Sequence, residues 1–153
     1  MPTQYWLLKS EPESYSIDDL KRDKKTYWDG VRNYQARNFL RDKIQKGDQV
    51  FFYHSNAEPS GIAGVAEVLR AGYPEPSQFD SKSKYYDPKS SPEDPIWFTV
   101  EIAFCQKFPD IIPLDSLRKI KALSDMPLLQ RGQRLSVQPV AAKHWKGVLA
   151  LVK

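Results

Sequence analysis

Hydrophobic positions along the chain fall into short apolar runs and short segments of helical spacing, and neither pattern lasts long. Tyr5-Trp6-Leu7-Leu8-Lys9 is a compact apolar and aromatic run ended by Ser10-Glu11-Pro12, which predicts a buried strand. Ser16 followed by Asp19 forms a capping box and predicts a short helix over Ile17 to Lys21. Between Tyr34 and Gln45, Phe39, Leu40 and Ile44 recur at helical spacing with Arg37, Arg41 and Lys43 interleaved, and Lys46-Gly47-Asp48 closes this amphipathic helix. Two strands follow, Gln49 to His54 and Ile62 to Leu69, separated by the turn-rich residues 55–61. Gly61 and Gly64 flank the start of the second strand, where glycine marks a bulge or a close backbone approach.

Residues 74–95 behave differently. They hold Pro74, Pro76, Pro88, Pro92 and Pro95, 5 of the 12 prolines, and their large apolar groups are Phe79, Tyr85 and Tyr86. This composition predicts a long irregular loop, and loops of that length inside a compact domain are usually functional or disordered. A strand from Trp97 to Phe104 comes next, then short helices over Pro113 to Ile120 and Ser124 to Arg131, with Ser124 as the cap of the second. Leu135 to Gln138 reads as a strand ended by Pro139, and Val140 to Val152 as a final helix or a helix then a strand. Several strands among short helices, without βαβ regularity, predict a small α+β fold with a curled sheet or partial barrel.

A length of 153 residues suits one domain spanning 1–153. The single cysteine, Cys105, excludes an internal disulfide framework and fits a reducing compartment; next to the apolar run Trp97 to Phe104, it reads as a buried structural thiol. His54 and His144 lie 90 positions apart, so no metal site is expected. With neither a Gly-rich phosphate loop nor GxGxxG in the chain, no cofactor is expected. Apolar runs fall short of the roughly twenty residues that span a bilayer, and the first nine residues hold too short an apolar segment for a signal peptide. The expected location is cytoplasmic, or nuclear where the source has a nucleus, with no membrane partner.

Charge is unevenly spread. Residues 1–105 carry 14 Lys/Arg against 16 Asp/Glu, and residues 106–153 carry 9 against 3, so the net +4 of the chain resides in its last third. That basic third, which includes Arg118, Lys119, Lys121, Arg131, Arg134, Lys143, Lys146 and Lys153, suits either a solvated face or a polyanion. Tyr53-His54-Ser55 is the nearest pairing of nucleophile and base, yet it lacks the glycine elbow of a hydrolase, and no carboxylate is marked as its orienter. Polar and aromatic groups cluster instead where segments end: Lys9-Ser10, Tyr53-His54-Ser55-Asn56, Val137-Gln138 and the run Tyr27 to Tyr34. Amide, hydroxyl and cationic groups beside an indole and phenols suit a planar ligand that stacks and hydrogen-bonds, such as an extruded nucleobase. For Trp28 core packing is the competing reading, and for Asn33 and Asn56 a helix cap and a turn residue.

Six ordered blocks carry a family resemblance. They are Tyr5 to Pro12, Trp28 to Asn38, Gly47 to Ser55, Gly61 to Val68, Tyr85 to Ser90 and Arg134 to Val140. Together these resemble the EVE domain family over almost the whole chain. The resemblance implies a PUA-like small β-barrel with flanking short helices, and distant kinship with the YTH readers of methylated adenine. It further implies a non-enzymatic module that binds modified RNA or DNA through an aromatic-lined pocket. Trp28 matches one wall of the YTH base cage, and Tyr85 or Tyr86 is placed opposite, with Tyr86 in the candidate set. Lys9, Ser10, Asn33, Ser55, Asn56 and Gln138 would meet the base edge or adjacent backbone, Tyr34 adds an aromatic surface, and Arg32 with the C-terminal basic residues would hold phosphates. Two other readings remain: an enzyme acting on nucleotides or nucleic acid, with His54 or Asp29 as the titrating group, and a pocket for a small anionic metabolite or a peptide.

Overall fold

The computed structural model describes residues 3–132 and 135–152; Arg134 and Lys153, two members of the basic last third, lie outside them. Among the described residues six strands and four α-helices succeed one another as β1 (Tyr5–Ser10), α1 (Ile17–Asp23), β2 (Lys25–Tyr27), α2 (Tyr34–Asn38), β3 (Gln49–His54), β4 (Gly61–Pro74), β5 (Phe98–Pro113), α3 (Leu114–Arg118), β6 (Val137–Val140) and α4 (Ala142–Leu149). The strands form one mixed sheet in the order β2-β5-β4-β3-β1-β6, in which β1 runs parallel to β3 and every other pairing is antiparallel.

Strand periodicity sends apolar side chains to both faces of this sheet. Trp6 and Leu8 of β1, with Val50 and Phe52 beside them on β3, enter one cluster that Leu20 of α1 and Ala36 of α2 cover. Leu7 and Phe51 enter a second cluster under α3 and α4, where Trp145 stacks on Phe51 and Tyr5 at centroid separations of 3.8 and 4.7 Å. Each fully buried ring or branched chain contributes about 1.5–3 kcal/mol.

The sheet does not close into the expected barrel. Its outer strands, β2 and β6, do not pair with one another. β2 has only three residues, and after Trp28 donates its N–H to the carbonyl of Val100 the chain turns away at Gly30, whose φ is +85°. β6 has four residues and contains Pro139, which lacks an N–H and suits an edge. The closing ladder therefore lacks both length and donors, and a gap remains between the two edges.

Local differences from the sequence expectation have physical causes. The capping box forms as predicted: Ser16 Oγ accepts from Asp19 N–H at 3.1 Å, and Ser16 N–H donates to Asp19 Oδ2 at 2.9 Å. The predicted amphipathic helix is α-helical only to Asn38, then widens into a π-helical turn over Phe39–Lys43 in which Ile44 N–H reaches the carbonyl of Phe39. Asp48 ends this segment, buried and accepting from the Trp6 indole and from the backbone of Gln4 and Gln45. The segment expected as a helix capped by Ser124 is a single 3₁₀ turn, Pro127–Leu129, without a side-chain cap. β4 and β5 outrun their predicted ends through register shifts, and at Gly64 a Cβ would stand 2.2 Å from the Gln106 carbonyl oxygen. Cys105, expected inside, is exposed: Phe104 pairs with Ala66 and Gln106 with Val65, leaving Cys105 as the extra residue of a bulge.

His54, at the end of β3, accepts the N–H of Ile17 on Nε2 at 3.1 Å, satisfying a donor at the start of α1. Its acceptor role requires a neutral ring, and burial pushes its pKa below the usual 6.5, with Lys107 opposing its charge and Asp18 favouring it. Since the folded value lies below the unfolded one, this stabilisation is complete above about pH 6.5 and falls as pH drops through the folded value. Urea denaturation of wild type and His54→Gln between pH 7.5 and 5.5 is expected to show an additional loss in wild type, at most about 1.4 kcal/mol per pH unit. Parallel pH curves would assign the acid sensitivity to other groups.

Candidate functional site

The gap between the sheet edges holds a cavity of about 590 Å³. One wall comes from the end of β1 and the residues after it, Lys9, Ser10 and Glu11, then Ser14 and Tyr15, with Ser136 ahead of β6; the other comes from β2 and the turn that follows it, Thr26 to Arg32. Lys84 and Tyr85 of the long loop complete the lining. Volumes of this order suit a small planar ligand.

Trp28 belongs to both the core and the cavity. It is only 7% exposed, its ring stands edge-on to Phe52 at 5.4 Å, and its carbonyl accepts the Thr99 hydroxyl. Two residues on, the Tyr85 ring packs directly against Gly30, where a Cβ would come within 2.5 Å of Tyr85 Cζ. The positive φ and this contact both require glycine. The loop aromatic that shapes the cavity is thus Tyr85; Tyr86, 43% exposed, does not line it.

A buried ion pair locks these walls together. Glu75, with no solvent exposure, accepts from Gly30 N–H on Oε2 at 2.8 Å and from the Arg32 guanidinium on both oxygens at 2.9 and 2.7 Å. Arg32 also donates to the carbonyls of Val31 and Tyr85, and lies 4.9 Å from the Trp97 ring centroid. Its guanidinium is committed to holding the turn and the loop, and its side chain is only 27% exposed.

Polar groups around the cavity are also ordered. Tyr27 Oη lies 3.2 Å from Ser77 Oγ, and Ser77 donates to Asp29 Oδ2 at 3.0 Å. Ser10 Oγ donates to the carbonyl of Tyr15 at 2.7 Å. Lys9 is half-buried, which lowers its pKa, and its ammonium lies 5.7 Å from the Tyr53 ring centroid.

Of the sequence-derived candidates, Lys9, Ser10, Trp28 and Arg32 line one cavity. Asn33 caps α2, accepting from Ala36 N–H at 3.0 Å. Tyr34, 59% exposed, stacks on Trp97 at 5.1 Å outside the lining. Ser55 donates its N–H to the Ser10 carbonyl, and Asn56, at φ +49°, reaches Glu11 Oε1 at 3.4 Å, so both flank the rim without lining it. Gln138 is buried beside Leu7 on β1, on the face of the second cluster, and donates to the Leu135 carbonyl. Of the two titrating candidates Asp29 lines the cavity; His54 does not, and its Nε2 is occupied by α1. Among the described residues no group of three His, Cys, Asp or Glu side chains could hold a metal ion, and no helix is long and apolar enough to cross a membrane.

Glu75 and Ser77 entered no sequence-derived set, and Tyr27 entered only as the first residue of the run Tyr27 to Tyr34. A carboxylate between two prolines reads as a surface charge, and only its arginine partner 43 residues away makes it a core residue.

An α+β sheet whose unpaired edges frame an aromatic- and charge-lined cavity is the architecture of a binding module. The chain belongs to the EVE domain family, whose model matches residues 4–151. It is 42% identical to human thymocyte nuclear protein 1 over 97% of this chain and 74% of that protein. A crystal structure from Pseudomonas syringae aligns with a TM-score of 0.92 at 47% identity, over 96% of this chain and 98% of that one. Human THYN1 protein, solved in complex with 5-methylcytosine-containing DNA, aligns with a TM-score of 0.90 at 40% identity, over 97% of each chain.

Proposed function

We propose that the protein is a non-enzymatic nucleic-acid-binding module that reads a modified base turned out of its strand into the cavity beside Trp28, with methylated DNA as the first target. The observation that carries this reading is the cavity itself, roomy enough for a base with its sugar, lined by Trp28 and Tyr85 and edged by hydrogen-bonding groups. The 5-methylcytosine DNA bound by the 40% identical human protein supports the choice of strand and of base. The lining mixes Glu11 and Asp29 with Lys9, Arg32 and Lys84, so it presents no field of one sign that would single out a small anionic metabolite. Of the two groups that an enzyme acting on nucleotides would draw on, His54 is spent on the α1 backbone, which leaves Asp29 in the cavity without that histidine as a partner.

Titration of single-stranded oligonucleotides that differ only by 5-methylation of one cytosine tests the proposal, with RNA counterparts alongside. Wild type is expected to favour the methylated DNA, and Trp28→Ala to lose about 1–3 kcal/mol of stacking, some 5- to 150-fold in Kd. Trp28→Phe keeps a ring against Phe52 and is expected to retain part of the preference. Equal wild-type affinity for methylated and unmethylated strands overturns the reading.

A further inference from the structure

We propose that Asp29 reads the inserted base, accepting a hydrogen bond from an exocyclic amino group and so selecting cytosine and adenine derivatives over thymine and uracil. This rests on the base-reading function above and names the chemical class its cavity accepts. The argument begins with a hydrogen count. Ser77 Oγ carries one proton and gives it to Asp29 Oδ2 at 3.0 Å, so at the 3.2 Å contact between Tyr27 and Ser77 the phenol is the donor. The relay therefore runs Tyr27 to Ser77 to Asp29, from the edge strand β2 through the 3₁₀ turn Pro76–Phe79 and back to the cavity wall. Ser77 is 8% exposed and fixed by its turn, so one oxygen of the carboxylate is anchored and its plane is held.

The other oxygen, Oδ1, has no hydrogen-bond partner among the described residues, and Asp29 is an exposed residue of the cavity lining next to Trp28. A carboxylate oxygen is acceptor-only, so it recognises donors. The amino group of cytosine or adenine supplies one, while O4 of thymine or uracil would set acceptor against acceptor with no proton between them. Lys9, also in the lining, turns its ammonium over the Tyr53 ring on the face of the second cluster, so the contact argued here is that of Asp29 alone.

5-Methylcytosine and thymine carry the same methyl group and differ at position 4 and N3, so they isolate this contact. Wild-type protein is titrated with single-stranded oligonucleotides bearing cytosine, 5-methylcytosine or thymine at one site, which leaves no pairing energy to differ. The expected result is about tenfold or greater preference for 5-methylcytosine over thymine. Asp29→Asn keeps the side-chain shape and can turn an amide N–H toward O4, so the preference is expected to fall to within about threefold. Ser77→Ala, which removes the anchor and leaves the charge, is expected to fall between the two. Equal binding of 5-methylcytosine and thymine, both tighter than cytosine, overturns the role of Asp29 while leaving the methyl-reading function intact. Full discrimination by a folded Asp29→Asn also overturns it. Equal binding of all three overturns the function and this inference together.

Discussion

Replacing Glu75 with alanine is expected to remove about 3 kcal/mol of folding stability and to loosen both walls of the cavity. The side chain is wholly buried, and its two oxygens satisfy three donors, the Gly30 backbone and two guanidinium nitrogens of Arg32. Breaking such a pair from one side costs about 3–5 kcal/mol, because the surviving charge keeps its desolvation and loses its partner. Arg32 is 27% exposed and can recover some hydration, which places Glu75→Ala near the low end of that range. Arg32→Ala strands a fully buried carboxylate with a single backbone donor and is expected to be the more damaging of the two. Urea denaturation reads both. The double variant is expected to lose less than the sum of the single losses, since it leaves no unpaired charge. A loss below about 1 kcal/mol for Glu75→Ala would show that the ion pair does not hold the structure together. Binding should fall with stability, since the same carboxylate joins Gly30, under the Tyr85 ring, to Arg32, which holds the Tyr85 carbonyl.

Those contacts also mark where sequence reading reached and where it stopped. Elements governed by local rules were legible: β1, β3, α1 with its capping box and the glycine close approach at Gly64 all rest on neighbouring residues or on strict periodicity. β2 was not, because Lys25-Thr26-Tyr27 carries no apolar alternation and becomes a strand only by pairing with Glu101, Ile102 and Ala103. The open sheet edge was equally hidden, for a curled sheet and a closed barrel share one strand pattern and differ in whether two short edges meet. Around the cavity, Trp28 could be named only through the family resemblance, its setting alone pointing equally to the core it also joins, and Asp29 only as a titrating candidate. The side chains that hold them in place could not: Glu75, Ser77 and Gln78 sit in a proline-rich stretch whose composition announces only irregularity, and their partners Arg32, Asp29 and Trp97 lie 43, 48 and 19 residues away. Tyr85 rather than Tyr86 lines the cavity because the Gly30 backbone leaves room for one ring, a fact of packing that adjacent tyrosines cannot reveal.

Gln78 accounts for the order of that long loop, and its replacement by leucine is expected to release the loop while the sheet stays folded. The side chain is completely buried and makes four hydrogen bonds. Nε2 donates to the carbonyls of Glu75 at 2.8 Å and Trp97 at 2.6 Å, and Oε1 accepts from Trp97 N–H at 2.9 Å and from the Ser90 hydroxyl at 2.5 Å. One amide thus pins the start, the middle and the end of the segment between β4 and β5. Leucine fills a similar volume but leaves the Glu75 carbonyl and the Trp97 N–H without partners and the Ser90 hydroxyl proton without an acceptor, while the Ser90 oxygen keeps the N–H of Ile96 and the Trp97 carbonyl keeps the N–H of Glu75. Buried groups left unpaired cost about 1–3 kcal/mol each, so the loop gains by opening to water instead of tolerating three of them. Hydrogen exchange is the direct readout: the amides of Asp87, bonded to the Gln78 carbonyl, and of Trp97 should lose protection, while those of β1 and β3 keep theirs. Affinity for a methylated strand should fall with the loop, because Tyr85 reaches the cavity only from a folded segment. Retained protection at Asp87 and Trp97 would mean that the Glu75 ion pair and the Asp87–Trp97 indole bond suffice to hold the loop without the amide.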